Sequence, residues 1–493
     1  MIKKYLLHQP KITLKSDLAA QSPYYLYLAT NKEYLLYSTS IQELLTHSEV
    51  IKPLNIKEES ISFLLQSGIV PLPNTIYKNV FSIGIGDEVE IKTIKNQVLL
   101  TFSHQFPFKN SLRKKEHEVN ENFILELLAD ATSKHLRDAS HTYLFHSAGK
   151  DSNMIALALA EAGLQDQITC LTHKSQGVND ESEISKKIAT KLGFKHQTIS
   201  SPNQLKKLHF DSISHYFENV PLPCVDNVTL AYPLYATQID FSNTNIIDGS
   251  GNDVYAGHIP NQIEFRNQKI FSKLHQFRKI TNSLTSDNKI RNITLTRPEW
   301  AGLSGFSFSD SKKIFSDSSN VYDYWREEDQ KRKEWDYFDL RADIWGCMVE
   351  SDRVIRKSRN LAAVSNANLV LPWCDSNVAA YFSTLPEETL FNRETLKNKL
   401  LLRKILKEKI GLDSDKLGKM AFSFDFFSTL MMMRREVTES ILNCQLWNKR
   451  EIKERLTYLF NHSQNNSKNK TLIQRLYLIS AWYNTNKYIK RDK

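Results

Sequence analysis

The chain has 493 residues, 41% hydrophobic and 24% charged, enough for a sizeable core and two or three domains. No apolar stretch approaches the roughly 18 to 20 residues of a membrane span, and the N-terminal apolar run stops at Leu7, too short for a signal peptide. The five scattered cysteines predict buried thiols in a cytoplasmic, reducing compartment, and the net charge of +10, interspersed with acids, predicts a solvated surface rather than a nucleic-acid face.

Residues 1–107 read as a β-rich unit, because YYLYLAT, YLLYST and DEVEIKTI are rich in tyrosine, leucine and valine and are separated by turn residues. Ser62–Ile91 adds a proline-bounded loop, a glycine turn and a strand. The polar stretch Phe108–Asn122 opens a second unit, residues 108–493. There Phe123–Leu136 is a predicted helix, Tyr143–Phe145 a buried strand, Ser147–Ser152 a small polar turn and Met154–Ala162 a helix. Ile168–His173 is the next strand, Glu181–Gly193 an amphipathic helix and His196–Ser200 a strand; Asn245–Ile247 then runs into the turn DGSGND. This alternation predicts an α/β fold with a parallel sheet up to about residue 260. Ligands of such sheets lie at the carboxyl ends of strands, where SAGKDS and DGSGND fall. The remainder reads as mainly helical, with Tyr322–Trp345 and Asn392–Lys409 as long charged segments and Asn461–Lys470 as an exposed loop.

A turn that opens a helix presents unpaired N–H groups and a dipole that favours anions. Ser147, Ala148 and Gly149 are small enough to let a phosphate reach the backbone, and Ser152 adds a hydroxyl. Asp151 would repel that phosphate unless a divalent cation lay between them, so the turn predicts a magnesium nucleotide. In the second turn Asp253 is the strongest ligand, and with Asp151 it can hold magnesium against a nucleotide's phosphates; each aspartate alone can equally be a helix cap. His146 reads as a packed strand-end histidine and Lys150 as a solvated side chain.

SAGKDS resembles the SGGxDS signature of the ATP-pyrophosphatase (PP-loop) superfamily, with Ala148 departing from the pattern. Gly249, Gly251, Asp253 and Gly257 resemble the SGEGxDExxGGY turn of one branch, the asparagine synthetase family. Lys399 with Leu402 and Arg403 is similar to its K-x-x-L-R helix, and Pro372 and Asp375 in LPWCD are similar to its PFLD segment. Lys419 and Phe422 resemble its R-x-K-x-x-F loop, and IVPLPNTIY resembles its V-P-x-P-x-T-I-F segment. The resemblance covers most of the chain, in the same order.

It implies a PP-loop synthetase domain over residues 108–493, preceded over 1–107 by a truncated remnant of an Ntn-type glutaminase domain. It also implies ATP and Mg2+ as cofactors, with Asp151 and Asp253 as metal ligands. Ser147, Ala148, Gly149, Ser152, Asp248, Gly249 and Gly251 would surround the phosphates, and the backbone of Thr172, His173 and Lys174 would meet adenine. Lys419 would face the departing pyrophosphate and, with Asp253, act in catalysis.

The departures are equally informative. Glutamine-using members open with a cysteine after methionine removal, whereas no cysteine here precedes Cys170, so glutamine hydrolysis is not expected. Ser250 stands in place of a catalytic glutamate and Val254 in place of a second acid, while Asn368 and Val370 replace a glutamate and an arginine. The acceptor end has therefore changed, and asparagine is not the expected product. Asp248, Glu350 and Tyr255 remain as replacement bases. The implied reaction activates a carboxylate as its acyl-adenylate, releasing pyrophosphate, for attack by ammonia or a substrate amine. Polysaccharide or natural-product modification suits it, alongside partner proteins of the same pathway. A lasso-peptide-type macrolactam cyclase, a PP-loop enzyme acting on tRNA, and a non-catalytic or glutaminase-dependent subunit are the alternatives.

Overall fold

The N-terminal alternation forms two antiparallel sheets in the computed structural model, which describes residues 2–113, 118–175, 180–271, 295–417 and 424–489. Strands β1 (Lys3–Leu6), β3 (Tyr24–Leu28), β4 (Tyr34–Ser38) and β5 (Val80–Ile83) make one, in the order β1-β4-β3-β5. Strands β2 (Ile12–Lys15), β6 (Asp87–Ile94) and β7 (Gln97–His104) make the other. Leu26, Leu35 and Ile83 from the first sheet and Val89, Ile91 and Val98 from the second share one buried cluster.

Two helices that the strand pattern did not predict interrupt this region. They are α1 (Ile41–Thr46), capped by the Ser40 side chain, and α2 (Glu58–Gln66), which occupies part of the segment expected as a loop. Seven consecutive residues of α2, Ser60–Gln66, are buried, so it has no solvent stripe by which a helical period could be seen.

Beyond residue 120 the predicted alternation holds. Helix α3 (Glu121–His135) leads to β8 (His141–Phe145), α4 (Lys150–Glu161), β9 (Ile168–Lys174), α5 (Ser182–Lys191) and β10 (Lys195–Ser200). Strands β11 (Thr244–Ile247) and β12 (Asn368–Val370) complete a sheet of order β10-β9-β8-β11-β12, parallel throughout. The chain moves from β8 to β9 on one side and later returns to place β11 on the other side of β8. This reversal creates a crevice at the carboxyl ends of β8 and β11. Leu144 pairs with Ile247 across that boundary, so SAGKDS and DGSGND emerge side by side.

The helical part is broken within both long charged segments, and it departs from expectation at Asn461–Lys470. Tyr322–Trp345 is not one helix: Tyr322–Lys331 ends, and the Asp336 side chain caps a new start at Tyr337–Arg341. A π-helix then runs from Ala342 to Ile355. Asn392–Lys409 begins as a short hairpin, Phe391–Asn392 against Lys397–Asn398, and becomes helical only at Leu400–Ile410. Asn461–Lys470 is a loop only in part, because Asn466 caps a helix over Ser467–Thr485. Among the described residues no helix is long and apolar enough to cross a membrane.

The π-helix has two working faces. Gly346 packs against Val254, where an added Cβ would lie 2.7 Å from the valine, and Glu350 reaches the Gly251 amide. On the other side Asp343 meets His104 and Arg332, while Asp352 accepts from the Val70 amide at 2.8 Å. His104 bridges Asp87 (2.7 Å) and Asp343 (2.9 Å). Burial alone would depress the imidazole, but these two carboxylates raise it from 6.5 to about 10. Its contribution to stability is therefore fully present below pH 6.5 and is lost as the pH rises through about 10. His104→Ala should cost about 2 kcal/mol in urea melts at pH 6. The deficit should shrink at alkaline pH; an equal deficit at both would show that no imidazolium is held there.

Candidate active site

The cradle after β8 is internally tied before any ligand arrives. Ser147 Oγ accepts from the Gly149 amide (3.0 Å), Ser152 Oγ accepts from the Ser147 amide (3.2 Å), and Asn153 Nδ2 donates to the carbonyls of Ser147 and Gly149. His146 is buried with Nε2 on Asn153 Oδ1, and burial lowers it to about 4, as expected of a packed strand-end histidine. The Ala148 amide donates to Glu181 Oε2 (2.9 Å), a partner the sequence did not indicate. The amides at the start of α4 have no intrahelical acceptor and carry the positive end of its dipole.

The second turn closes against the first. Gly249 lies so near that an added Cβ would stand 3.1 Å from the Ser152 amide nitrogen. Gly251 adopts φ +114, and a Cβ there would overlap Cys374 Sγ at 2.3 Å. Only glycine permits that backbone, which delivers Asp253 to the first position of the short helix Asp253–Ala256.

Asp151 and Asp253 do converge, and between them sits Lys399. Its ammonium lies 2.7 Å from Asp151 Oδ2 and 2.7 Å from Asp253 Oδ1, with the lysine side chain 8% exposed. Burial alone would depress it; the two carboxylates outweigh that and hold it raised. Lys399 has a left-handed backbone, φ +56, at the junction of hairpin and helix, a conformation costing a non-glycine residue about 1 kcal/mol or more. Arg403 stabilises the junction by donating to the Asn398 carbonyl (2.9 Å) and to Asp415. The other Asp151 oxygen accepts from Asn252 Nδ2 at 2.6 Å.

Lys150 is not the solvated side chain expected. It is half-buried, and burial, then the charges of Arg403 and Lys399, lower it to about 8. Among the described residues it makes no ion pair. Thr172 and His173 are buried at the end of β9, with Thr172 Oγ1 3.0 Å from His196 Nε2 and His173 packed on Tyr235 and Phe424. Lys174 ends the same strand, exposed. Lys419 and Phe422 lie outside the described residues.

Three groups could replace the base missing at Ser250, and their partners separate them. Asp248 accepts from the Ser250 amide and hydroxyl through one oxygen and from the Ser358 hydroxyl through the other. Tyr255 is buried and donates to the Trp373 carbonyl at 2.7 Å. Glu350 differs. Its Oε1 accepts from the Gly251 amide (2.9 Å), its Oε2 is buried without a hydrogen-bond partner among the described residues, and burial, then Asp253, raises it to about 8.

The asparagine synthase family profile matches residues 124–484. The chain belongs to the asparagine synthase family. It is accordingly an ATP-dependent, amide-forming ligase, and the match spans both turns, the π-helix and Lys399. No curated protein matches the chain.

Asp151 and Asp253 fit the magnesium such ligases use with ATP. They offer hard oxygen donors aimed at one point, with 29% and 33% of their side chains exposed. Two carboxylates would supply only part of such an ion's shell, the rest being the place of phosphate oxygens and water.

Proposed function

We propose that this asparagine synthase family member activates a carboxylate as its acyl-adenylate and passes the acyl group to ammonia or a substrate amine. A carboxylate alone has no good leaving group; joined to AMP it does, and pyrophosphate departs. The observation that carries this is the meeting of Asp151, Asp253 and Lys399 at the mouth of β8 and β11, with Glu350 just behind the same turn. Ser147, Gly149, Ser152 and the first-turn amides of α4 would hold the pyrophosphate part of ATP, with Asp248, Gly249 and Gly251 shaping the opposite wall. The backbone of Thr172, His173 and Lys174 would meet adenine, and Lys419 would face the leaving pyrophosphate. A magnesium ion on Asp151 and Asp253 would offset the charge of that leaving group.

Glu350 takes the role of base on the acceptor side. Its unpaired oxygen can accept the proton of the attacking amine, and its elevated pKa brings it near the range where proton transfer is efficient. With Ser250 in place of the family's glutamate, and Asn368 and Val370 at the edge strand, the acceptor is not aspartate. We favour an acidic sugar or a natural product, handled with other proteins of the same pathway. Pyrophosphate exchange tests the first half-reaction: label should enter ATP only when the correct carboxylate is present, uronic acids and peptide acids being the first to try. Formation of ADP and phosphate instead would overturn it.

A further inference from the structure

The sequence motifs place a metal between Asp151 and Asp253, yet the point they face is taken by the Lys399 ammonium, 2.7 Å from each. A lysine and a divalent cation compete for the space between these two oxygens, because two cations brought that close repel each other. Lys399 is held for this position: its side chain is buried, its backbone is left-handed, and Arg403 braces the turn that carries it. Asp151 and Asp253, by contrast, keep about a third of their side-chain surface exposed.

We propose that Lys399 is a resident counter-ion that keeps the two carboxylates apart in ligand geometry and excludes free metal until nucleotide arrives. The phosphates of ATP then offer the ammonium a new anionic partner, and the carboxylates pass to the incoming metal. Metal and nucleotide therefore bind as a coupled pair, and Lys399 carries the coupling. This rests on the metal-nucleotide site proposed above, and it gives Lys399 a positioning role that the K-x-x-L-R resemblance does not specify.

Mn2+ binding to the full-length protein, followed by the loss of its free paramagnetic signal, reads this without any turnover. Wild-type protein should bind Mn2+ weakly alone and much more tightly with α,β-methylene-ATP. Lys399→Met should bind Mn2+ alone about ten- to hundredfold more tightly than wild type, the usual span of coupling between linked sites, and should gain less from the nucleotide. Lys399→Gln, which keeps a donor but loses the charge, guards against misfolding in the methionine variant and should shift in the same direction. If both folded variants bind Mn2+ no more tightly than wild type, the counter-ion role is wrong. Asp253→Asn separates the two levels: it should weaken Mn2+ in the nucleotide complex. Unchanged affinity there would overturn the metal site itself, whatever Lys399 does.

Discussion

Glu350→Gln is expected to lower amide formation by about 10² to 10⁴, the loss that follows removal of a positioned general base, while leaving pyrophosphate exchange largely intact. The split follows from timing. Adenylation consumes no proton from the amine, which is deprotonated only once it attacks the acyl carbon, after pyrophosphate has gone. A glutamine can still accept from the Gly251 amide, so the turn that carries Asp253 should keep its geometry. Amide formation near the wild-type rate would remove Glu350 from the mechanism, because Asp248 and Tyr255 already have partners.

Asp253→Asn is expected to act on the other half-reaction, depressing exchange and turnover by about 10² or more and affecting substrate affinity less. The carboxylate matters most when charge moves onto the departing phosphates, so its loss falls mainly on the transition state. Lys419→Ala should behave alike, and because both residues act on one leaving group, the double variant should fall short of the product of the single losses. Circular dichroism must show each variant folded. Near-normal exchange in either single variant would mean that the leaving group is held elsewhere.

Much of the parallel sheet was legible because its strands and helices change period sharply, from Tyr143–Phe145 into SAGKDS and from Asn245–Ile247 into DGSGND. That both turns share one crevice follows from strand order, which the alternation and the rule for parallel sheets together anticipate. Helix α2 was hidden because its burial is nearly complete around its circumference. The three-residue β12 was too short to carry a pattern.

Within the site, Asp151 and Asp253 could be named from charge beside small residues. The K-x-x-L-R spacing singled out Lys399 but could not put it between them, for that position depends on a left-handed backbone immediately after a hairpin strand pair. Glu181 was equally hidden: it stands 33 residues from Ala148 and reads locally as part of an amphipathic helix. Glu350 was one of three possible bases, and only the hydrogen bonds of the other two set it apart.

The π-helix Ala342–Ile355 is a wall common to the two halves of the chain. A wall used from both sides cannot drift freely. A residue inserted or removed within it would rotate Glu350 away from the Gly251 turn and, in the same motion, pull Asp343 from His104 and Asp352 from Val70. A change in the N-terminal sheets that moves this helix would therefore also move Glu350. Whatever chemistry the first hundred residues carry, they share one mechanical support with the site.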